Sequence, residues 1–174
     1  MLLIVRSIVL IALYLLTSCA QSTEPSKLID EINTDNAKAR DITQEAERKR
    51  SEARAKGKAG EHSESASLYR EASKLYAEIS KLLRKNASKA DEVAKVRDPS
   101  WYSEYFTSHA KRFRHLATMA SGAAEQLMVN SNGQPSESQL KSWKADAEQL
   151  TMELDEVDKK IEEIEAREKV VLIK

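Results

Sequence analysis

The residues able to do chemistry are few and poorly grouped. The chain has one cysteine, Cys19, in the stretch Leu16-Thr17-Ser18-Cys19-Ala20-Gln21, and three histidines, His62, His109 and His115. No histidine has a partner at i+3 or i+4, and no Cys, Asp or Glu stands beside one at zinc-like spacing. Neither a nucleophile elbow nor a Gly-rich phosphate loop occurs. Carboxylates crowd residues 153–168, but they lie opposite an apolar stripe, where solubility accounts for them. The sequence therefore predicts no enzyme, no cofactor and no metal site. A single thiol closes no disulfide within the chain, so the chemistry left to Cys19 is modification at sulfur or none.

What surrounds Cys19 narrows that choice. Residues 8–16 are an uninterrupted apolar run, and Arg6 is the only charge before it. A membrane-spanning helix needs roughly 20 apolar residues. This run is shorter and ends at small residues, as a secretory signal does. A buried cytosolic cysteine would leave the run unexplained. Two cleavage positions fit. A cut after Ala20 uses Ser18 and Ala20 as the small residues and discards the cysteine, which yields a freely secreted or periplasmic helical module. A cut before Cys19 makes it the new N-terminus.

Leu16-Thr17-Ser18-Cys19 resembles the bacterial lipobox: an aliphatic residue, a small or β-branched one, a small one, then cysteine. The resemblance implies a lipoprotein signal peptide over 1–18 and lipidation of Cys19 by acyl chains such as palmitate. The protein would then be displayed from the membrane of a bacterial cell envelope. Ala20 rather than Asp follows the cysteine, and similarity to enteric sorting signals then implies the outer membrane of a diderm cell. Acyl chains contribute about 0.8 kcal/mol per buried methylene, and more than one makes the anchor stable. Residues 19–26, with Pro and small polar side chains, read as a tether, and 27–174 as one helical domain.

Lys plus Arg equals Asp plus Glu at 28 each, so the formal net charge is zero. That balance gives no footprint for nucleic acid. Charged residues make up 32% and aromatics 5%, with four glycines and three prolines, a composition that favours helix over sheet. The predicted fold is all-α, an antiparallel bundle of three to four long helices whose last member is coiled-coil-like. An up-and-down four-helix bundle is the simplest arrangement; a three-helix body with a projecting fourth helix is the rival.

Apolar spacing places the helices. The first spans 27–55, with Ser26 as N-cap and a stripe of Leu28, Ile32, Ala39, Ile42, Ala46 and Ala53. Its alanines bury little area, so it is expected to be the most weakly held. Gly57 and Gly60 predict a turn. The second spans 61–97 with a broad apolar face. Asp98-Pro99-Ser100 should open a third over 99–129, which carries both phenylalanines and is expected to centre the core. Residues 130–135 are the clearest loop, and Ser136 with Gln139 forms a capping box for the fourth helix. Leu140, Trp143, Ala147, Leu150, Leu154, Val157, Ile161, Ile164 and Val171 keep heptad-like spacing along it.

That last stripe is the predicted interaction seam, for an unknown envelope protein or for self-association. Four weaker signals compete with plain packing. The run from His109 to His115 looks basic, but a helix splits it, with His109 and Phe113 inside the apolar stripe and Lys111 and His115 opposite, as a solvated face would be. A pocket near His109, Tyr105 and Arg112 would instead suit a small enzyme or ligand binder; the plainer expectation for His109 is an interior, hydrogen-bonded side chain. Asn86-Ala87-Ser88 matches a glycosylation pattern in a helix, where chance explains it. Lipidated Cys19 with Lys174 at the other end is similar to the major outer-membrane lipoprotein of enteric bacteria, whose terminal lysine joins peptidoglycan. That family is much shorter, however, and a single helix.

Overall fold

A computed structural model describes residues 24–96 and 99–174. Among the described residues four helices follow one another: α1 (Pro25–Lys58), α2 (His62–Val93), α3 (Ser100–Asn132) and α4 (Glu137–Glu168). The protein is an all-α bundle, as the composition requires, and contacts between helices show that sequential neighbours are antiparallel. Ser73 on α2 meets Ala124 on α3 and Ser80 meets Ala117, one index rising as the other falls.

The helix ends follow local chemistry. Pro25 occupies the first turn of α1 after Glu24, so α1 begins before the expected cap at Ser26. Proline fits there because its missing N–H would be unpaired in any case. Gly60 (φ 83°) takes the left-handed conformation that ends α1, with the Glu61 N–H reaching Lys56 O at 2.9 Å. Gly57 is not part of the turn; it lies inside α1. A Cβ there would stand 3.2 Å from Ser65 Oγ, which donates to Ala53 O at 2.8 Å, so the missing side chain lets α2 begin close against α1. The second helix stops at Val93 rather than 97, and α3 runs on to Asn132. The Ser136–Gln139 capping box forms as predicted. At the other end of α4, Lys169 adopts φ 55° and closes the helix. Val171 therefore does not extend the α4 stripe; it is 60% exposed.

The core is built outward from the α2/α3 contact. Ala72, Ala87 and Ala90 of α2 and Ala110, Ala117 and Ala120 of α3 are all buried. Small side chains let two backbones approach, close enough for Ser73 Oγ and Ser80 Oγ to donate to α3 carbonyls at 2.7 and 2.9 Å. Tyr105, Phe106 and Phe113 on α3 are the largest fully buried side chains, which agrees with α3 as the centre. Packing is sequential: α1 on α2, α2 on α3, α3 on α4. The helices form an open series rather than a closed ring, and a trough is left between α1 and α3.

Candidate interaction surfaces

The N-terminal signals lie outside the described residues: Cys19, the lipobox and the signal segment all precede residue 24. Among the described residues, no helix is long and apolar enough to cross a membrane, and no group of His, Cys, Asp or Glu is placed to hold a metal ion.

The predicted α4 seam is divided by the fold. Val157, Ile161 and Ile164 belong to the buried core, so this half is spent on the chain's own packing. Leu150 and Leu154 are half-buried. Trp143 is half-buried, whereas Leu140 is 51% and Met152 69% exposed. Polar contacts hold the packed half against α3: Arg112 Nε donates to Asp158 at 2.7 Å, and Tyr105 Oη to Glu165 at 2.9 Å. Towards the α3–α4 loop, the facing α3 side chains include Ser121, Gly122 and Ala123, too small to fill the gap. A groove of about 590 Å³ results, lined by Met119, Gly122, Ala123, Trp143, Ala147 and Leu150 among others.

A second groove, about 690 Å³, is the trough between α1 and α3. Ile79, Leu83, Phe113, Leu116 and Ala120 give it apolar walls and floor, with Asn36, Arg40, Thr43 and Gln44 along its α1 edge. One end of the trough is closed by residues 170–174. Asn33 Nδ2 donates to Leu172 O at 3.0 Å, the Lys174 N–H donates to Asn33 Oδ1 at 2.7 Å, and Asn36 Nδ2 donates to Lys174 O at 3.1 Å. From α3, Tyr105 Oη accepts the N–H groups of Leu172 and Ile173, both at 3.2 Å. Burial pushes the Tyr105 phenol up to about 12, against the pull of those two amides. It keeps its proton and can donate to Glu165 while accepting from the backbone.

Neighbouring charges brace this end of α1. Lys89 on α2, with a nearly buried side chain, bonds Asp35 at 2.8 Å and Glu31 at 3.1 Å. Burial opposes the charged forms of both Asp35 and Lys89, but the surrounding charges together outweigh it, Lys89 and Lys85 for Asp35, and Asp35 and Glu31 for Lys89. Asp35 is held below the usual carboxylate range and Lys89 above its own.

The basic run on α3 is mostly consumed by such pairs. Arg112 meets Asp158, and Arg114 meets Asp91. His115 is not on an open solvated face: its side chain is 13% exposed, with Nδ1 3.3 Å from Glu153 on α4. His109 is interior, as expected, but it lacks the expected hydrogen bond; neither ring nitrogen has a partner. Its ring packs 4.4 Å from Tyr105 and 6.0 Å from Phe113. Burial, helped by Arg112, pushes its pKa down to about 3. Among the three residues suggested as a pocket, only Arg112 lines the trough. Asn86 is fully buried, donating to Asn36 Oδ1 and Ile32 O, so a glycan has no access to it in the folded chain.

Asn33, Asn36 and the two hydroxyl-accepted amides escaped the sequence reading. One signal was available. Asn36 stands four residues after Ile32 and three before Ala39, inside the α1 stripe, and a polar residue in a buried stripe needs a partner. Comparison with family models, with curated proteins and with solved structures finds no match to this chain.

Proposed function

We propose that this chain is a lipid-anchored lipoprotein of a bacterial envelope, with a non-catalytic helical body that binds other proteins or itself. The anchor rests on the residues leading to Cys19. The interaction role rests on one observation: Trp143, Ala147 and Leu150 of α4 line an unfilled groove against α3, and Leu140 on the same stripe is exposed. An apolar helix face left over an unfilled groove is the kind of surface at which proteins meet partners. The basic run gives no support to a nucleic-acid role, because Arg112 and Arg114 already meet carboxylates within the chain. Wall attachment through Lys174 has only the terminal residue in its favour.

The second reading, a soluble periplasmic or secreted module cut after Ala20, is favoured by Ser18 and Ala20. The intact mass of the protein extracted from membranes separates the two. The anchored form should weigh as residues 19–174 plus acyl chains. A mass of residues 21–174 alone would remove the anchor and leave the soluble module.

A further inference from the structure

Gly122 stands inside α3, and a glycine inside a helix weakens it relative to alanine. Gly57 shows what can justify one: Ser65 Oγ comes within 3.2 Å of the place its Cβ would take. Gly122 has no such neighbour. A Cβ there would meet nothing within 4 Å among the described residues, and its φ is not positive. The chain's own packing therefore gains nothing from this glycine. A body that approaches α3 from outside would gain, because Gly122 lines the α3/α4 groove.

Charge around that groove is mostly of one sign. From Thr118 to Gln126 the α3 wall carries Glu125 and no cation. From Trp143 to Glu153 the α4 wall carries Asp146, Glu148 and Glu153 against Lys144 alone. Lys144 already lies 3.8 Å from Glu148, and Glu153 lies 3.3 Å from His115 Nδ1. Glu125 and Asp146 are exposed and line the groove, and neither meets a basic side chain among the described residues. A second copy docking through its own α4 would bring these carboxylates to the same rim, where like charges oppose it. Both walls are helices, whose main-chain groups are bonded internally, so the groove offers no edge to an extended strand. The two lining stretches measure about 12 and 15 Å at 1.5 Å per residue, the length of two to three turns of a third helix.

We propose that the α3/α4 groove is the docking site of a basic amphipathic helix of a partner protein. The apolar face of that helix lies along Trp143, Ala147 and Leu150, whose three- and four-residue spacing matches the anchors of a helix seated in a groove. One large apolar side chain fills the gap over Gly122 and Ala123. Lysines or arginines on its flanks meet Glu125 on the α3 side and Asp146 on the α4 side. This rests on the interaction reading above and gives the same groove its partner chemistry.

The probe is a labelled synthetic peptide of about 18 residues, long enough to form a helix by itself. It carries leucines at three- and four-residue spacing with lysines on both flanks, and a twin has glutamate for every lysine. Fluorescence anisotropy with the full chain should show the lysine peptide binding at least tenfold more tightly than its twin, by a margin that shrinks as salt rises. Gly122→Leu fills the gap and should weaken that binding at least tenfold. Gly122→Ala should raise the thermal midpoint of the chain by about 3 °C, since no neighbour stands in the way of its methyl group. A lower midpoint would mean that the fold itself needs the glycine, and it overturns the proposal. Equal binding of the two peptides overturns it as well but leaves the interaction reading standing, as does a dimer of the full chain that Gly122→Leu separates. If neither peptide binds and the chain is a monomer, the proposal and the interaction role of the groove fall together. Should Gly122→Leu fail to fold, Glu125→Lys combined with Asp146→Lys decides instead: it should reverse the preference between the peptides, and an unchanged preference overturns the proposal.

Discussion

The two halves of α4 carry the same heptad pattern and meet different fates. From Val157 to Ile164 the stripe is buried against α3. From Trp143 to Leu150 it faces a groove. The difference lies in what α3 offers. Tyr105 and Arg112 bond Glu165 and Asp158 across the packed half, and Phe106 and Phe113 fill the core on the same stretch of α3. Opposite the open half the small Ser121, Gly122 and Ala123 stand between Met119 and Gln126 and leave a gap. Periodicity tells which face of a helix is apolar; the bulk on the neighbouring helix decides whether that face is covered.

Truncation in the packed half should have the largest effect. Ile164 is 1% exposed and belongs to the core cluster. Ile164→Ala removes its methyl groups and leaves a cavity, which costs about 3 kcal/mol. For a chain of this size that lowers the thermal midpoint by roughly 10 °C. Calorimetry or circular dichroism of the folded variant checks it. A shift under two degrees would mean that the packed half is held no better than the open one.

Acid should loosen the packed half next. His109 lies on α3 between Tyr105 and Arg112, the two residues that bond α4. Its folded pKa, about 3, lies below the ordinary histidine value near 6.5. Below pH 6.5 the unfolded chain therefore binds a proton that the folded chain refuses. Stability is highest above that pH and falls as pH drops towards 3, by on the order of 2 kcal/mol at pH 5. A variant isolates the imidazole. His109→Leu should flatten the slope between pH 6.5 and 5. It should also hold or raise stability at pH 7, because two unpaired buried nitrogens leave with it. An unchanged slope would mean that His109 gains a partner in solution.

How much of this was legible beforehand follows from the range over which each signal acts. Helix positions and the Ser136–Gln139 cap are local, written in spacing and in residues three apart, and they agree with the fold. The end at Lys169 was not legible: a lysine at positive φ gives no glycine signal, so Val171 read as a continuation of the stripe. Gly57 misled for a related reason, since a glycine needed for close approach looks the same in sequence as one needed for a turn. The strap over α1 depends on pairs such as Asn33 with Leu172 and Tyr105 with Ile173. Such pairs are more than sixty residues apart, and only the arrangement of helices brings them together. Likewise, no local pattern indicates that α4 would pack on α3 alone and leave the α1/α3 trough open.

The smallest expected effect lies in the open half and tests the comparison most directly. Leu140 is 51% exposed, and Leu140→Ala on an isolated chain should change stability by less than about 0.5 kcal/mol. That figure assumes that nothing covers the residue. If α4 forms its seam with a second copy, Leu140 and Trp143 are buried in solution, and the same substitution then acts on association. Its stability effect would grow with protein concentration, since a partner that binds only the folded chain stabilises by mass action. Melting Leu140→Ala beside the unaltered chain at two concentrations a hundredfold apart separates the cases. A difference that stays small at both leaves the open half free for a different protein. A difference that widens at the higher concentration makes the two halves of α4 alike in burial, one covered by its own chain and the other by a copy.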